Sequence, residues 1–194
     1  MTNGSNWLAA GITALACAIS AAFVTQQPQT PPPSEPITVP VITDTSSLPG
    51  PRQPIFFRHD IHAGQDRIAC AYCHSTVTVS SEPGIPALET CLGCHRIIQG
   101  STDSHRSEIE KVTTAFYEGK PPEWVRVHTN PSFVRFPHQR HVKVLGATPQ
   151  GCANCHGDVA KMPQVYQVET LRMGWCINCH VQRKVTRDCT VCHY

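Results

Sequence analysis

The chain has 194 residues, and its 11 cysteines and 11 histidines are far more than ordinary proteins contain. Charged residues make up 15% and the formal net charge is +2, which excludes a charge-rich disordered chain, a coiled coil and a nucleic-acid-binding protein. Leu, Ile and Phe are scarce outside the N-terminal segment. We therefore expect something other than side chains to fill the core.

An uncharged run of 18 residues extends from Trp7 to Val24 and is just long enough to cross a bilayer as a helix. A cleaved signal peptide is the alternative. However, no Lys or Arg precedes the run, as the basic start of a signal peptide would require. We predict that residues 1–26 form an uncleaved membrane anchor helix.

Residues 27–54 hold 9 of the 17 prolines. This composition favours extended polyproline II conformation and cannot build a core. The sequence predicts a linker and leaves open whether it is free or lies as a strap across partner subunits. All the histidines and ten cysteines are in residues 55–194, so the chemistry is expected there.

Five C-x-x-C-H motifs account for these ten cysteines, which pair as Cys70 and Cys73, Cys91 and Cys94, Cys152 and Cys155, Cys176 and Cys179, and Cys189 and Cys192. Two thiols at this spacing add across the vinyl groups of one haem, and the adjacent histidine binds the iron. Zinc sites and disulfides also use C-x-x-C pairs, but neither needs a histidine directly after the second cysteine. A thioredoxin-type motif needs a βαβ pattern, which is not visible. The motifs predict five covalently bound c-type haems, with proximal iron ligands His74, His95, His156, His180 and His193.

Five haems in 140 residues would supply the apolar surface that the side chains lack. For residues 55–194 we expect a mostly irregular chain with short α-helices and almost no sheet, built around the haems. The complete fold class adds one N-terminal transmembrane helix to this multihaem cytochrome c domain.

The sixth ligands of the irons are sought among the six histidines outside the motifs. The pattern F-x-H-x-x-H occurs at 57–62, before the first motif, and again at 136–141, before the third. This duplication predicts two modules, 55–123 and 124–194. Histidines at i and i+3 share one face of a helical turn, so each pair can reach two haems. We predict these four as distal ligands: His59, His62, His138 and His141.

His128 follows a mixed apolar stretch and is the predicted fifth distal ligand, whereas His105 lies among polar residues and is predicted to be a surface side chain. Met162 and Met173 leave an alternative open. A thioether from one of them in place of a histidine would raise the potential of that haem, although Met173 is also suited to packing against a porphyrin.

The F-x-H-x-x-H segments followed by C-x-x-C-H motifs resemble the class III multihaem cytochromes, cytochrome c3 and c7, over all of residues 55–194. In that family the first histidine of the pair ligates the haem of the next motif and the second a more distant haem. More narrowly, the N-terminal helix, the proline-rich strap, the five motifs and the segments Trp124–His141 and Met173–His180 look like the pentahaem subunits of alternative complex III.

This resemblance implies an electron-transfer subunit of a membrane quinol:electron-acceptor oxidoreductase rather than an enzyme in its own right. It implies polytopic quinol-binding subunits, an iron–sulfur subunit that delivers electrons, and a monohaem cytochrome c or another acceptor. Haem attachment takes place outside the cytoplasm. We therefore expect the haem domain on the periplasmic side of the membrane, anchored by the N-terminal helix.

Three other functions are weighed against this one. A quinol dehydrogenase of the NapC/NrfH kind places its first haem close to the membrane, whereas 45 residues separate Val24 from Cys70 here. A free periplasmic multihaem carrier would require loss of the N-terminal segment. A multihaem reductase requires an iron with an open site, but no C-x-x-C-K motif occurs. The sequence does not determine the haem potentials, the direction of electron flow or which distal ligand serves which haem.

Overall fold

The computed structural model describes residue 1, residues 41–42 and residues 44–194. The chain divides into two units, Met1–Pro36 and Ile37–Tyr194, and the described residues other than Met1 belong to the second. The predicted anchor helix and most of the proline-rich linker lie outside the described residues. Within the described part, no helix has the length and apolar character needed to span a bilayer.

Short helices joined by irregular segments make up the described part of the second unit, which contains no β-strand. A π-helical turn occupies Asp60–Gln65, and 3₁₀ turns occupy Ser75–Thr78 and Val159–Lys161. The α-helices are α1 (Cys70–Cys73), α2 (Leu88–His95), α3 (Asp103–Tyr117), α4 (His138–Leu145), α5 (Pro149–His156), α6 (Met173–Gln182) and α7 (Cys189–Cys192). The expectation of short helices in a mostly irregular chain is confirmed.

Each C-x-x-C-H motif lies on one of these helices. In the first and last motifs the cysteine pairs span α1 and α7 and the histidines are the C-cap residues, while the other three motifs lie at or near the ends of α2, α5 and α6. Because residues i and i+3 share a helix face, both cysteines of each motif lie on the same side. Capping fixes two of these helices: Thr148 accepts a hydrogen bond from the Gly151 amide, and Asp188 accepts one from Thr190.

The apolar core is small and centres on α2 and α3. Ile55, Leu92 and Val112 are buried in it, and Phe116 and Trp124 pack against them. Elsewhere among the described residues, Ile109 and Met162 are the other buried apolar side chains, while Ile97 is 86% exposed and Tyr194 75% exposed. So little buried apolar surface agrees with a domain that depends on bound haem for its core.

The segment that precedes the first histidine pair is hydrogen-bonded to residues far along the chain. Gln53 and the backbone of Val125 exchange two hydrogen bonds of 2.8 and 2.9 Å. The Gln164 amide donates to the carbonyl oxygens of Pro49 and Gly50, at 3.0 and 2.9 Å. The last residues of the predicted linker therefore contact the second predicted module at two separate places.

The two predicted modules also contact each other reciprocally. The π-helical turn with the first histidine pair packs on Val159–Lys161, which follows the third motif. Gly64 makes this possible, because a Cβ there would lie 2.2 Å from the Ala160 carbonyl oxygen. The start of α4, where the second histidine pair lies, is hydrogen-bonded to the segment after the first motif. The backbone amide of His138 donates to the carbonyl oxygen of Ser81, and that of Gln139 donates to the carbonyl oxygen of Ser80.

Candidate haem-binding sites

The ten motif cysteines are all free thiols. Over the described ranges, no three Cys, His, Asp or Glu side chains converge as they would around a bare metal ion. Each motif thus offers two unpaired thiols on one helix face next to a histidine. This is the donor set that covalent haem attachment needs.

Four of the five motif histidines share one hydrogen-bonding pattern. Their Nδ1 atoms lie 2.6 to 3.1 Å from a backbone carbonyl oxygen. A carbonyl can only accept, so Nδ1 bears the hydrogen and Nε2 keeps the lone pair that an iron requires. The pairs are His74 with Gly84, His95 with Ile98, His180 with Thr186 and His193 with Phe133. The orientation of these four histidines is therefore suited to binding a haem iron through Nε2.

His156, in the third motif, differs from the other four. Its Nδ1 lies 3.4 Å from Nε2 of His128, and the two ring centroids are 4.4 Å apart. A histidine side chain therefore takes the place that a backbone carbonyl has in the other motifs.

Three of the five predicted distal histidines are oriented in the same way. His62 and His141 donate from Nδ1 to the carbonyl oxygens four residues earlier, at 2.8 and 3.0 Å. The Nδ1 atom of His138 donates to Ser81, at 2.7 Å. The Nδ1 atom of His59 is buried and has no hydrogen-bond partner. In the first three rings Nε2 is again the nitrogen free for a metal.

Two distal histidines lie beside motif histidines. The ring centroids of His62 and His95 are 5.9 Å apart, and those of His141 and His180 are 6.1 Å apart. Two imidazoles on opposite sides of one iron have centroids about 6 Å apart, given metal–nitrogen bonds of about 2 Å. The spacing of both pairs fits a shared iron.

Burial, reinforced by nearby imidazoles, keeps several of these rings neutral. Desolvation lowers the pKa of His59 to about 4, with His74 adding the next largest effect. Desolvation also lowers the pKa of His156 to about 4, followed by the effects of His128 and then His138. His59 is thus a neighbour of the first motif, and both His128 and His138 are neighbours of the third. A neutral imidazole is the form that binds iron.

The thiols show which motifs are adjacent. Burial raises the pKa of Cys73, and Cys94 of the second motif raises it further. Burial and then Cys70 of the first motif raise the pKa of Cys152 to about 11. Burial and the thiols of the fourth motif raise the pKa of Cys155 in the third, and burial and Cys192 of the fifth raise that of Cys176 in the fourth. The motifs are neighbours in the order second, first, third, fourth, fifth.

A family model described as cytochrome c7 and related cytochrome c matches residues 134–194, which include the last three motifs. The chain is also 30% identical over 164 residues to the menaquinone reductase multihaem cytochrome c subunit of Nitratidesulfovibrio vulgaris (strain Hildenborough). The match covers 73% of this chain and 76% of that subunit. The chain belongs to the multihaem cytochromes c. This cytochrome contains a c7-like domain and binds c-type haem covalently.

His105, Met162 and Met173 are the other histidine and the two methionines considered from the sequence. The Nδ1 atom of His105 lies 3.3 Å from the Ser101 hydroxyl. Met162 is buried, and its Cε atom would lie 3.3 Å from a Cβ placed on Gly157. Met173 is exposed at the start of α6. Among the described residues, the ring beside His193 is Phe133, with centroids 5.8 Å apart, and not a histidine.

Sequence reasoning missed two groups of supporting residues in this cytochrome. The first is the carbonyl acceptors, which give no signal because every residue has a carbonyl group. The second is Phe57 and Phe136, which stack on His62 and His141. These two rings did have a signal, because each opens the repeated pattern, but the pattern alone assigned them no role.

Proposed function

We propose that this cytochrome is the electron-transfer subunit of a membrane quinol:electron-acceptor oxidoreductase of the alternative complex III kind. It relays electrons from an iron–sulfur subunit to a monohaem cytochrome c or another acceptor, and it performs no catalysis of its own. Five c-type haems are attached, one to each C-x-x-C-H motif. Bound haem supplies a one-electron iron couple.

The continuous adjacency of the five motifs carries this proposal. The second, first, third, fourth and fifth motifs form one unbroken series of neighbouring thiols. An electron carrier needs such a series, whereas a multihaem reductase also needs an iron with an open site. The backbone carbonyls that orient four of the motif histidines also hold these rings in fixed positions, which suits electron transfer because little has to rearrange.

The quinone-linked setting is supported by the relative, whose name makes it a subunit of a menaquinone reductase. On this basis we assign the cytochrome polytopic quinol-binding membrane subunits as partners, together with the iron–sulfur subunit. Trp7–Val24 is the proposed anchor, with the haem domain on the periplasmic side.

His59, His62, His138 and His141 are the proposed distal ligands. The 5.9 and 6.1 Å ring separations support His62 for the iron at His95 and His141 for the iron at His180. The effect of His74 on the pKa of His59 supports His59 for the first motif, and the effect of His138 on the pKa of His156 supports His138 for the third. This pattern follows the order that the cytochrome c3 and c7 resemblance implies.

The test is mild detergent extraction of the full chain from its native membranes, followed by mass spectrometry of the co-purifying subunits and of the chain's own N-terminus. We expect a stable complex that contains polytopic and iron–sulfur subunits and that reduces the haems with quinol. The isolated chain should not oxidise quinol. Quinol oxidation by the chain alone would indicate a NapC/NrfH-like dehydrogenase. A monomer that begins near residue 25 would indicate a free periplasmic carrier.

A further inference from the structure

The hydrogen-bond partner of His156 sets the third motif apart. In the other four motifs the Nδ1 atom of the histidine donates to a backbone carbonyl oxygen. In the third motif the corresponding partner is Nε2 of His128, at 3.4 Å. A backbone carbonyl can accept this hydrogen bond whichever residue occupies the position. A side-chain acceptor is lost when that one residue is replaced.

The position of His128 does not suit a distal ligand of the same iron. Its Nε2 faces Nδ1 of His156, which is the nitrogen that points away from an iron bound at Nε2. The ring centroids are 4.4 Å apart, whereas the two pairs that fit a shared iron are 5.9 and 6.1 Å apart. His138, which also lies near His156, has its own Nδ1 bonded to Ser81, which leaves its Nε2 free.

The backbone around His128 is well anchored. Trp124 packs against the apolar core, and Val125 exchanges two hydrogen bonds with Gln53. The His128 ring is partly buried, and burial is the main cause that lowers its pKa. A neutral imidazole has one nitrogen that can accept a hydrogen bond.

We propose that His128 is a positioning residue that accepts a hydrogen bond from the Nδ1–H of His156, and not an axial ligand. This inference rests on the proposed attachment of a haem to Cys152 and Cys155. Accepting this hydrogen bond fixes the His156 tautomer and makes its Nε2 a stronger electron donor. A stronger donor stabilises the oxidised iron and lowers the potential of that haem.

The test uses the full haem-loaded chain and compares four variants: His128→Ala, His128→Gln, His138→Ala and, as the control, His105→Ala. Haem content is measured by mass, spin state by electron paramagnetic resonance, and midpoint potentials by spectroelectrochemical titration. We expect His128→Ala to leave the spin state of every haem as it is in the unmodified chain and to raise the potential of one haem. His128→Gln places a carbonyl oxygen near the same position and should restore the potential. His138→Ala should give one high-spin haem, and His105→Ala should change neither quantity.

Two results would overturn the inference. A high-spin haem in His128→Ala that the unmodified chain lacks would make His128 an axial ligand. Unchanged potentials in that variant would mean that the contact with His156 has no effect on the haem. If His128→Ala fails to assemble, the spin state of His128→Gln distinguishes the two roles. A ligand role predicts an additional high-spin haem in His128→Gln, and a positioning role predicts the spin states of the unmodified chain. A haem count of five in these variants would leave the proposed function intact whichever of these results is found.

Discussion

Phe136 stacks on His141 with ring centroids 4.1 Å apart, and Phe57 stacks on His62 in the same way at 4.4 Å. In both segments the same Phe also meets the first histidine edge-on, at 4.7 Å. The repeated F-x-H-x-x-H sequence is therefore a repeated arrangement of three rings. In each copy the phenylalanine limits the rotation of the second histidine, and the carbonyl four residues earlier sets its tautomer.

Replacing Phe136 by Leu should weaken this arrangement. Loss of the stacked contact should lower the free energy of unfolding by about 1 kcal/mol, and one low-spin haem signal should broaden because His141 is held less firmly. Thermal unfolding and electron paramagnetic resonance measure the two effects. Phe57→Leu is the matched variant and should act on a different haem. If both variants retain wild-type unfolding and spectra, the phenylalanines have no role in holding the histidines.

Removing His62 or His141 should each convert one haem from low to high spin, because these rings lie at the separation from His95 and His180 that a shared iron requires. Magnetic circular dichroism of His62→Ala and His141→Ala would measure this change. The double variant should contain two high-spin haems, since the two sites are separate. A fully low-spin spectrum from either single variant would contradict the assignment of that histidine.

Haem content should follow the motif count. We expect a mass excess of five haems over the polypeptide and haem colour that survives denaturing electrophoresis. Replacing Cys189 and Cys192 by Ala should remove one haem and leave four, with little effect on the others, because the fifth motif lies beside the fourth at one end of the series.

The matched variant replaces Cys152 and Cys155 by Ala. The third motif has neighbours in both the first and the fourth, so loss of its haem should lower the unfolding temperature more than loss of the fifth does. Four or fewer haems in the unmodified chain would refute the one-haem-per-motif assignment.

Arg58 is a buried cation, and its replacement by Ala should be costly. Its side chain is 4% exposed and its Nε donates to Asp60 at 2.7 Å, while its carbonyl orients His62. Leaving the Asp60 carboxylate without this partner should lower the free energy of unfolding by about 3 kcal/mol. Chemical denaturation of the haem-loaded chain measures the change in the free energy of unfolding. Arg106→Ala is the control, because the Arg106–Asp103 pair is exposed and its loss should cost less than about 1 kcal/mol. Equal losses of unfolding free energy in the two variants would contradict the stabilising role assigned to the buried Arg58.

The covalent chemistry of this protein was predictable from the sequence, because it is local. Each C-x-x-C-H motif needs only one helical turn to place two thiols on one face with a histidine beside them, and each motif does lie on a helix. The short helices in an irregular chain followed from the same reasoning, since few apolar side chains were available to build larger elements. The repeated F-x-H-x-x-H pattern likewise indicated two helical histidine pairs, and both segments are helical.

Contacts between distant residues were decided by the tertiary structure alone. The order in which the motifs neighbour one another differs from their order in the chain, because the first histidine pair packs beside the segment after the third motif and the second pair beside the segment after the first. The carbonyl of Phe133 orients His193 from 60 residues away, and His128 reaches His156 across 28 residues. A backbone hydrogen-bond acceptor cannot be recognised in a sequence, because every residue has a carbonyl group. The sequence also does not show whether a single histidine faces an iron or the Nδ1 atom of another histidine.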